Sequence, residues 1–351
     1  MKAFEKNIRK VEPYVPGEQP QRKVMKLNTN ENPYPPAPNV AKVLRGMDTD
    51  AFRRYPDPAC SGLVKELAEF YGVAEDQVFV GVGSDDVLAM CFLTFFNSEK
   101  PILFPDITYS FYKVWADLYR IPYRCPELDE NFRLVKEDYF QENGGIIFPN
   151  PNAPMAIYES LDTVEEIIRR NQDVIVIVDE AYVDFAGRSA LELIDRYDNL
   201  IVVQTFSKAR SMAGMRIGYA ISNPLLIRYL NDAKYSFNSY TMNQTSLICG
   251  VEALKDRAYF EECIRKLIET RTWTAGELRK LGFQMTDSGA NFLFITHQEY
   301  DAQELFEALK AHDIYVRHWN SKRIEQYLRV TIGTREEMEA FVAFLKDYMK
   351  K

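Results

Sequence analysis

The chain has 351 residues, of which 46% are hydrophobic and 27% are charged, and this length predicts about two domains. Its formal net charge is −8, from 43 basic and 51 acidic residues, which argues against a general nucleic-acid-binding or anionic-membrane surface. No apolar run is long enough to cross a bilayer, and the N-terminus lacks the apolar core of a signal peptide. These features predict a cytoplasmic protein that binds neither nucleic acid nor membrane.

The first segment of the chain, to about residue 58, is rich in proline and asparagine and predicts loops and turns. Apolar, β-branched runs then alternate with helical patterns. The predicted strands are QVFVGVG, KPILFPD, GGIIFPNP, DVIVIVDE, NLIVVQTF and RIGYAIS. Because these runs lack polar alternation, they are typical of strands buried on both faces. The pattern predicts an α/β fold with a mostly parallel sheet between helices.

A long helical pattern with a break follows, from NQTSLICG to ELRKLG. Beyond it, the strands NFLFIT, IYVRHW and YLRVTIG and the helices AQELFEALKAH and REEMEAFVAFLKDYMK predict a smaller α+β unit. We expect three parts: an N-terminal arm that joins the small domain (1–45), a large domain (46–265) and a small C-terminal domain (266–351).

The cysteines and histidines give no sign of a metal site. The five cysteines are scattered without a C-x-x-C pair, and there are three histidines. This usage predicts free thiols in a reducing compartment and no bound metal.

Polar residues collect where the predicted strands end. Gly83-Ser84-Asp85 follows one strand, Asp179 and Tyr182 follow another, and Ser207-Lys208 follows a third. Each has an ordinary explanation as a turn, a strand terminator or a solvated charge. In an open α/β sheet, however, ligands bind beyond the carboxyl ends of the strands. One crevice would then hold an amine, a carboxylate, a phenol, a helix start and the nearby Arg216.

That set of groups is what pyridoxal phosphate requires. A lysine amine forms the Schiff base, and a carboxylate keeps the pyridine nitrogen protonated so that the ring accepts electrons. A helix N-terminus and an arginine suit the phosphate. The sequence therefore predicts a pyridoxal 5'-phosphate enzyme.

The stretch SKARSMAGMRIGY resembles the lysine motif of the fold-type I, class I/II pyridoxal phosphate-dependent aminotransferases. VDEAY, GVGSDD, RYPDP, NENPYPP and LRVTIGT are also similar to family motifs, in the family order. Within the family, the chain most resembles the histidinol-phosphate aminotransferases, from VEPYVPGEQP to the last helix. The resemblance implies a large domain that binds the cofactor and a homodimer with shared active sites. It also implies amino transfer between histidinol phosphate and 2-oxoglutarate, a step of histidine biosynthesis.

The resemblance also assigns roles around the cofactor. Lys208 would hold it and move the proton, Asp179 would pair with the pyridinium nitrogen, and Tyr182 would bond the 3-oxygen. Tyr109 would stack on the ring, although core packing explains it equally well. The residues implied at the phosphate are Gly83, Ser84, Asp85, Thr205, Ser207, Arg216 and, from the partner subunit, Tyr55.

Two positions depart from the family pattern. Ala153 stands where the family usually has a cofactor-contacting asparagine, so Asn152 would serve only if the loop is shifted. Otherwise one hydrogen bond to the 3-oxygen is missing. Val82 stands where the family often has asparagine, which changes the lining of the phosphate turn.

The resemblance further implies a set of substrate residues. Arg329 matches the family's carboxylate-binding arginine, and Arg317 resembles a second arginine near the substrate phosphate. Tyr14 matches a tyrosine that reaches the same anion. A surface charge on a strand remains an alternative for either arginine. Glu31 would contact the imidazole or serve only in a turn.

Three other functions fit the same motifs. Threonine-phosphate decarboxylases and aromatic amino-acid aminotransferases would use the same Lys208. A third alternative is a cofactor-binding interaction protein without catalysis, which the irregular loop at Asn152 favours slightly and the intact Lys208, Asp179 and Arg216 oppose.

Overall fold

The computed structural model describes residues 2–350. The strands are β1 (Met25–Lys26), β2 (Val78–Gly81), β3 (Ile102–Leu103), β4 (Tyr123–Arg124), β5 (Ile146–Pro149), β6 (Val176–Asp179), β7 (Leu200–Thr205), β8 (Gly218–Ser222), β9 (Gln284–Met285), β10 (Phe292–Thr296), β11 (Ile314–Tyr315), β12 (Arg317–His318) and β13 (Leu328–Thr331). The α-helices are α1 (Pro38–Arg45), α2 (Ser61–Tyr71), α3 (Ser84–Phe95), α4 (Phe111–Tyr119), α5 (Leu161–Arg170), α6 (Pro224–Phe237), α7 (Gln244–Lys255), α8 (Arg257–Lys280), α9 (Ala302–Ala311) and α10 (Arg335–Tyr348).

The large sheet has seven strands in the order β2-β8-β7-β6-β5-β3-β4. The pairs from β7 to β4 are parallel, whereas β8 is antiparallel to both β2 and β7. The predicted class, a mostly parallel sheet between helices, is confirmed. The carboxyl ends of β5, β6 and β7 therefore lie side by side at one edge.

The sheet is buried on both faces because its strands are apolar at successive positions. In β6, Val176 and Val178 pack with Val164 and Ile167 of α5. Ile177 points the other way and packs in the cluster that contains α3 and α4. Successive strand residues face opposite sides, so an uninterrupted apolar run fills both layers.

The C-terminal part contains a four-stranded antiparallel sheet in the order β12-β13-β10-β9. The segment IYVRHW forms two short strands rather than the single predicted one: β11 pairs with β1 of the N-terminal arm, and β12 pairs with β13. The predicted break in the long helical pattern falls at Asp256, between α7 and α8. The expected domain boundary at 265 lies inside α8, and the three-part division stays a prediction.

Helix α6 was not predicted, although its start carries a clear signal. Pro224 occupies its first position, and the Asn223 side chain accepts a hydrogen bond from the backbone N–H of Leu226. Asparagine at the cap followed by proline is a common helix start. Within residues 2–350, no helix is both long and apolar enough to cross a membrane. The same residues contain no cluster of three or more metal-ligating side chains.

Candidate active site

A cavity of about 180 Å³ lies at the carboxyl ends of β5, β6 and β7, beside the start of α3. Most of the predicted cofactor residues line it, together with Glu31. They are Ser84, Asp85, Tyr109, Asp179, Tyr182, Thr205, Ser207, Lys208 and Arg216. The topology of the sheet thus places these separate motifs around one small space.

One end of this cavity is the turn at Arg216, which is paired with Asp85. The Arg216 Nη2 atom lies 3.0 Å from the Asp85 carboxylate, and its Nη1 donates to Ser207 Oγ at 3.4 Å. Gly83 precedes α3 with a φ of +82°, and a Cβ there would lie 2.5 Å from Arg216 Nη2. The first turn of α3 therefore meets the guanidinium because residue 83 has no side chain. Backbone N–H groups at a helix start and an arginine together suit a phosphate.

Gly218 permits the same close approach from the neighbouring strand. A Cβ at this position would lie 2.2 Å from the Gly83 carbonyl carbon and from the Ser84 backbone nitrogen. Both are backbone atoms, which cannot move aside as a flexible side chain can. Two glycines thus bring β8 and the start of α3 together at the anion-binding turn.

Asp179 ends β6 and is only 4% exposed. Its carboxylate accepts a hydrogen bond from the Tyr112 hydroxyl at 2.7 Å and one from the Ala181 backbone N–H at 3.3 Å. Burial raises the pKa of Asp179 to about 6, although these two hydrogen bonds oppose the shift. A buried carboxylate of this kind gains most from a cationic partner in the cavity.

Lys208 follows β7, and its amine reaches across the cavity. Its Nζ donates to the Thr29 carbonyl at 3.3 Å and lies 5.6 Å from the centre of the Tyr182 ring. The Tyr182 oxygen accepts a hydrogen bond from the Asn30 amide at 2.9 Å. The N-terminal segment therefore closes over the amine and the phenol.

Tyr109 forms a wall between the cavity and α4. Its hydroxyl donates to the Asp85 carboxylate at 2.7 Å, and its ring meets that of Tyr112 edge to face at 5.7 Å. Burial, with the nearby Asp85 charge, holds the pKa of Tyr109 well above its usual range. The phenol is therefore a neutral donor at neutral pH.

A second, larger cavity of about 660 Å³ continues from the first. The two share Thr29, Tyr109, Ala153, Tyr182 and Lys208. Arg317 and Arg329 line the larger one and occupy directly opposed positions on β12 and β13. Both guanidinium groups lie over the Trp319 ring, at 5.4 and 5.2 Å from its centre.

The Arg329 guanidinium is only partly hydrogen-bonded. Its Nη2 donates to the Asn28 carbonyl at 2.8 Å, whereas its buried Nε has no hydrogen-bond partner among residues 2–350. Burial lowers the pKa of Arg329, and the charge of Arg317 acts in the same direction. An anion in the larger cavity would offset the repulsion between the two guanidinium groups.

The other two predicted substrate residues also lie at these cavities. Tyr14 lines the larger one, where its ring stacks on Phe111 with centres 4.3 Å apart. Glu31 lines the smaller one and forms an ion pair with Lys26.

Three predicted residues line neither cavity: Gly83, which lies at the turn before α3, and Asn152 and Tyr55. Asn152 is buried, and its amide donates to the Ile107 carbonyl and accepts from the Thr108 hydroxyl. Its side chain is therefore directed away from the cavities, and Ala153 is the residue of this loop that lines both of them. Tyr55 is 81% exposed and stacks on Tyr240, with ring centres 4.6 Å apart. Neither side chain contacts the site within this chain.

The structure adds four residues to which the sequence assigned no role in the site: Thr29, Asn30, Tyr112 and Gly218. Thr29 and Asn30 lie in the NTNENPYPP stretch, and Tyr112 follows Tyr109 by one turn at the start of α4. Asn30 and Gly218 lie in the NENPYPP and SKARSMAGMRIGY motifs, which were the available signal, whereas Thr29 and Tyr112 lie outside the recognised motifs.

Comparisons with known proteins agree with this geometry. The model of the family described as aminotransferase class I and II matches residues 22–345. The histidinol-phosphate aminotransferase of Clostridium botulinum (strain Okra / Type B1) is 49% identical over 353 residues, covering 100% of both chains. That of Lactococcus lactis subsp. cremoris (strain MG1363) is 50% identical over 349 residues, covering 99% of this chain and 98% of the relative.

A solved structure shows the same fold. The putative histidinol-phosphate aminotransferase from Erwinia carotovora atroseptica superposes with a TM-score of 0.86 at 22% identity, covering 93% of this chain and 96% of the other. The chain belongs to the class I and II aminotransferase family. It is a pyridoxal phosphate-dependent aminotransferase, and the amine of Lys208, the carboxylate of Asp179 and the turn at Arg216 fit that cofactor.

Proposed function

We propose that this enzyme transfers an amino group between histidinol phosphate and 2-oxoglutarate, a step of histidine biosynthesis, in the cytoplasm. The observation that carries the proposal is the opposed pair Arg317 and Arg329 in the larger cavity, which Lys208 also lines. The full-length identity of 49% to an enzyme named for this activity supports it. The free state of the five cysteines fits a reducing compartment.

Different residues of the smaller cavity would bind different parts of the cofactor. Arg216, Ser207, Thr205 and the first turn of α3, with Gly83, Ser84 and Asp85, would hold the phosphate. Asp179 would hold the pyridine nitrogen as a cation, Tyr182 would donate to the 3-oxygen, and Tyr109 would cover one ring face. When bound, the cofactor supplies an electron sink for the carbon that loses its proton.

Lys208 would perform the proton transfer. Lys208 lines both cavities, so its amine would reach a group held by the cofactor and a substrate held by the arginines. A positioned general acid–base of this kind contributes roughly 10²–10⁴-fold to the rate. In the state that the structure describes, the Thr29 carbonyl holds this amine.

The substrate anion would lie between Arg329 and Arg317. Carboxylate and phosphate both match the planar fork of a guanidinium, so one pair can accept glutamate and histidinol phosphate in turn. Tyr14 would add a hydroxyl to the same anion, and Glu31 would face the imidazole. The role of Asn152 at the 3-oxygen stays a prediction, for which its present hydrogen bonds to Ile107 and Thr108 give no support.

The proposal includes a homodimer with shared sites, in which Tyr55 reaches the cofactor phosphate of the partner subunit. Its 81% exposure and its stacking on Tyr240 support a contact outside this chain. Tyr240 follows α6, whose exposed side chains include Tyr229, Tyr235 and Phe237. Exposed aromatic groups of this number are typical of a protein–protein interface.

The substrate assignment is tested by single-turnover and steady-state assays of the cofactor-loaded enzyme. We expect histidinol phosphate with 2-oxoglutarate to give the highest kcat/KM among histidinol phosphate, phosphothreonine, phenylalanine and tyrosine. Carbon dioxide release from phosphothreonine would indicate the decarboxylase instead, and a preference for phenylalanine would indicate an aromatic aminotransferase. Lys208→Ala is the control for background transfer, and no turnover of any amine by the wild type would favour a non-catalytic role.

The shared site is tested by complementation. Lys208→Ala and Tyr55→Phe chains are refolded together at limiting cofactor. A mixed dimer then has one site with both residues intact, so activity should exceed that of either variant alone. Mixed dimers without that gain would place Tyr55 outside the site.

A further inference from the structure

Asn30 belongs to the N-terminal arm and occupies a fixed position between the C-terminal sheet and Tyr182. It has a φ of +57° and is 2% exposed. Its backbone N–H donates to Thr331 Oγ1 at 3.0 Å, and its carbonyl accepts from the Asn291 amide at 2.9 Å. The backbone of Asn30 is therefore held on both sides, which fixes the direction of its side chain.

The surrounding hydrogen bonds also fix which end of the amide faces Tyr182. The Thr331 hydroxyl donates to Asn30 Oδ1 at 3.0 Å, and Asn30 Nδ2 lies 2.9 Å from the Tyr182 oxygen. Turning the amide round would leave the Thr331 proton without an acceptor among the described residues. Buried polar groups are rarely left unpaired, so the nitrogen is the end that faces the phenol.

This orientation decides where the Tyr182 proton can go. An amide nitrogen only donates, so the phenol oxygen accepts from Asn30 and its own single proton must point elsewhere. Tyr182 lines both cavities, which gives the hydroxyl open space on that side. We infer that Asn30 is a positioning residue, which holds the Tyr182 oxygen so that its hydroxyl donates into the cavity.

The same contacts join this phenol to the substrate side. Thr331 and Arg329 belong to β13, and the Thr331 backbone N–H donates to the Leu27 carbonyl at 3.0 Å. Arg329 donates to the Asn28 carbonyl. The segment from Leu27 to Asn30 is thus bonded along the strand that carries the proposed substrate arginine, so the direction of the Tyr182 hydroxyl depends on the docking of that strand.

The inference rests on the proposed role of Tyr182 at the cofactor 3-oxygen, and the experiment separates the two. The measured quantity is the pH midpoint at which the visible absorption band of bound pyridoxal phosphate changes. A weaker donor at the 3-oxygen leaves more negative charge on that oxygen. This charge would hold the proton more tightly on the nearby nitrogen through which Lys208 binds the cofactor. Tyr182→Phe should therefore raise the midpoint, by about one pH unit for a lost charge-assisted hydrogen bond.

Asn30→Gly tests the positioning step, because glycine accepts the positive φ and removes the amide. We expect it to raise the midpoint by a substantial part of the Tyr182→Phe shift and to add nothing in the Tyr182→Phe background. Asn30→Asp keeps the shape of the side chain but replaces the amide donor by an acceptor, which draws the phenol proton away from the cavity. In the enzyme that retains the Tyr182 hydroxyl, it should therefore raise the midpoint at least as far as Asn30→Gly does. Asn30→Asp in the Tyr182→Phe background measures the direct effect of the added charge.

Three results would overturn the inference. If Tyr182→Phe leaves the midpoint unchanged, the proposed role of Tyr182 is wrong, and the inference fails with it. If Tyr182→Phe shifts the midpoint but both Asn30 variants retain the wild-type value, only the role of Asn30 is wrong. If Asn30→Gly shifts the midpoint equally with and without the Tyr182 hydroxyl, Asn30 acts through general structure, which thermal melting of the cofactor-free variants would also report.

Discussion

Arg317 and Arg329 stand directly opposite each other on the antiparallel strands β12 and β13. Like charges at opposed positions destabilise a sheet by themselves. Here Trp319 lies beneath both guanidinium groups, and the buried Nε of Arg329 has no partner within residues 2–350. An anion placed between them would convert an unfavourable pair into a binding site.

Arg329→Lys should raise the KM for glutamate by roughly tenfold or more, because a lost hydrogen bond to a charged group costs about 1.5–3 kcal/mol. An ammonium cannot reproduce the planar fork. Steady-state kinetics with glutamate and with histidinol phosphate check this, and the KM should rise for both substrates. Arg265→Lys on the exposed face of α8 is the matched control. Equal KM values for the two variants would contradict the assignment.

Arg317→Gln should reduce the preference for a phosphorylated substrate. Among residues 2–350, the one hydrogen bond of its guanidinium is a long one, 3.5 Å, to the Val15 carbonyl, so most of its donors are available. We expect the ratio of kcat/KM for histidinol phosphate over histidinol to fall roughly tenfold.

Arg323→Gln provides the comparison for this ratio. Arg323 lines the same cavity, but its donors are used by Asp106 and by the Leu128 and Asp129 carbonyls. It should affect stability and not the ratio. An unchanged ratio in Arg317→Gln would remove Arg317 from phosphate recognition.

Gly218→Ala should disrupt the anion-binding turn, since its Cβ would lie 2.2 Å from the backbone of Gly83 and Ser84. Overpacking of this kind costs about 1–3 kcal/mol of folding free energy, and the displaced turn should bind the cofactor more weakly. Gly214→Ala in the same segment meets nothing within 4 Å and serves as the control. Fluorescence titration with pyridoxal phosphate measures both, and similar affinities would refute the steric argument.

Asp179→Asn should stabilise the cofactor-free protein at neutral pH while impairing catalysis. Burial raises the pKa of Asp179 to about 6, above the value near 3.9 of an unfolded chain. Between these values the folded state binds more protons, so its free energy of unfolding falls as pH rises and is constant above about pH 6. At pH 7 the buried charge of Asp179 lowers the free energy of unfolding by at most about 3 kcal/mol, and asparagine removes this loss. Near pH 4 the loss vanishes, because Asp179 is protonated in the folded state.

Urea denaturation of the cofactor-free proteins at several pH values checks this. Asp173→Asn, at an exposed position before β6, controls for the substitution itself. A stability difference that does not change with pH would show that Asp179 does not carry the penalty. With cofactor bound the order should reverse, because the amide cannot hold the pyridinium charge.

The sequence by itself determined the elements that depend on local pattern. Apolar runs such as those of β6 and β7, alternating with helical patterns, predicted buried parallel strands. Asp179 at the end of β6 and Lys208 just after β7 were therefore expected at one sheet edge, because parallel strands end on the same side. The turn at Gly83 also followed from local residues, since glycine before a helix start permits its positive φ.

The tertiary structure decided the contacts between side chains that are distant in the chain. Asn30 and Tyr182 are 152 positions apart, and Tyr112 meets Asp179 across the sheet. The direction of Asn152, away from the cavities, depends on Ile107 and Thr108, which no local pattern relates to it. Such hydrogen bonds form only where packing brings a buried donor to a buried acceptor. The sequence therefore identifies the polar side chains, whereas the tertiary structure determines which of them are hydrogen-bonded to each other.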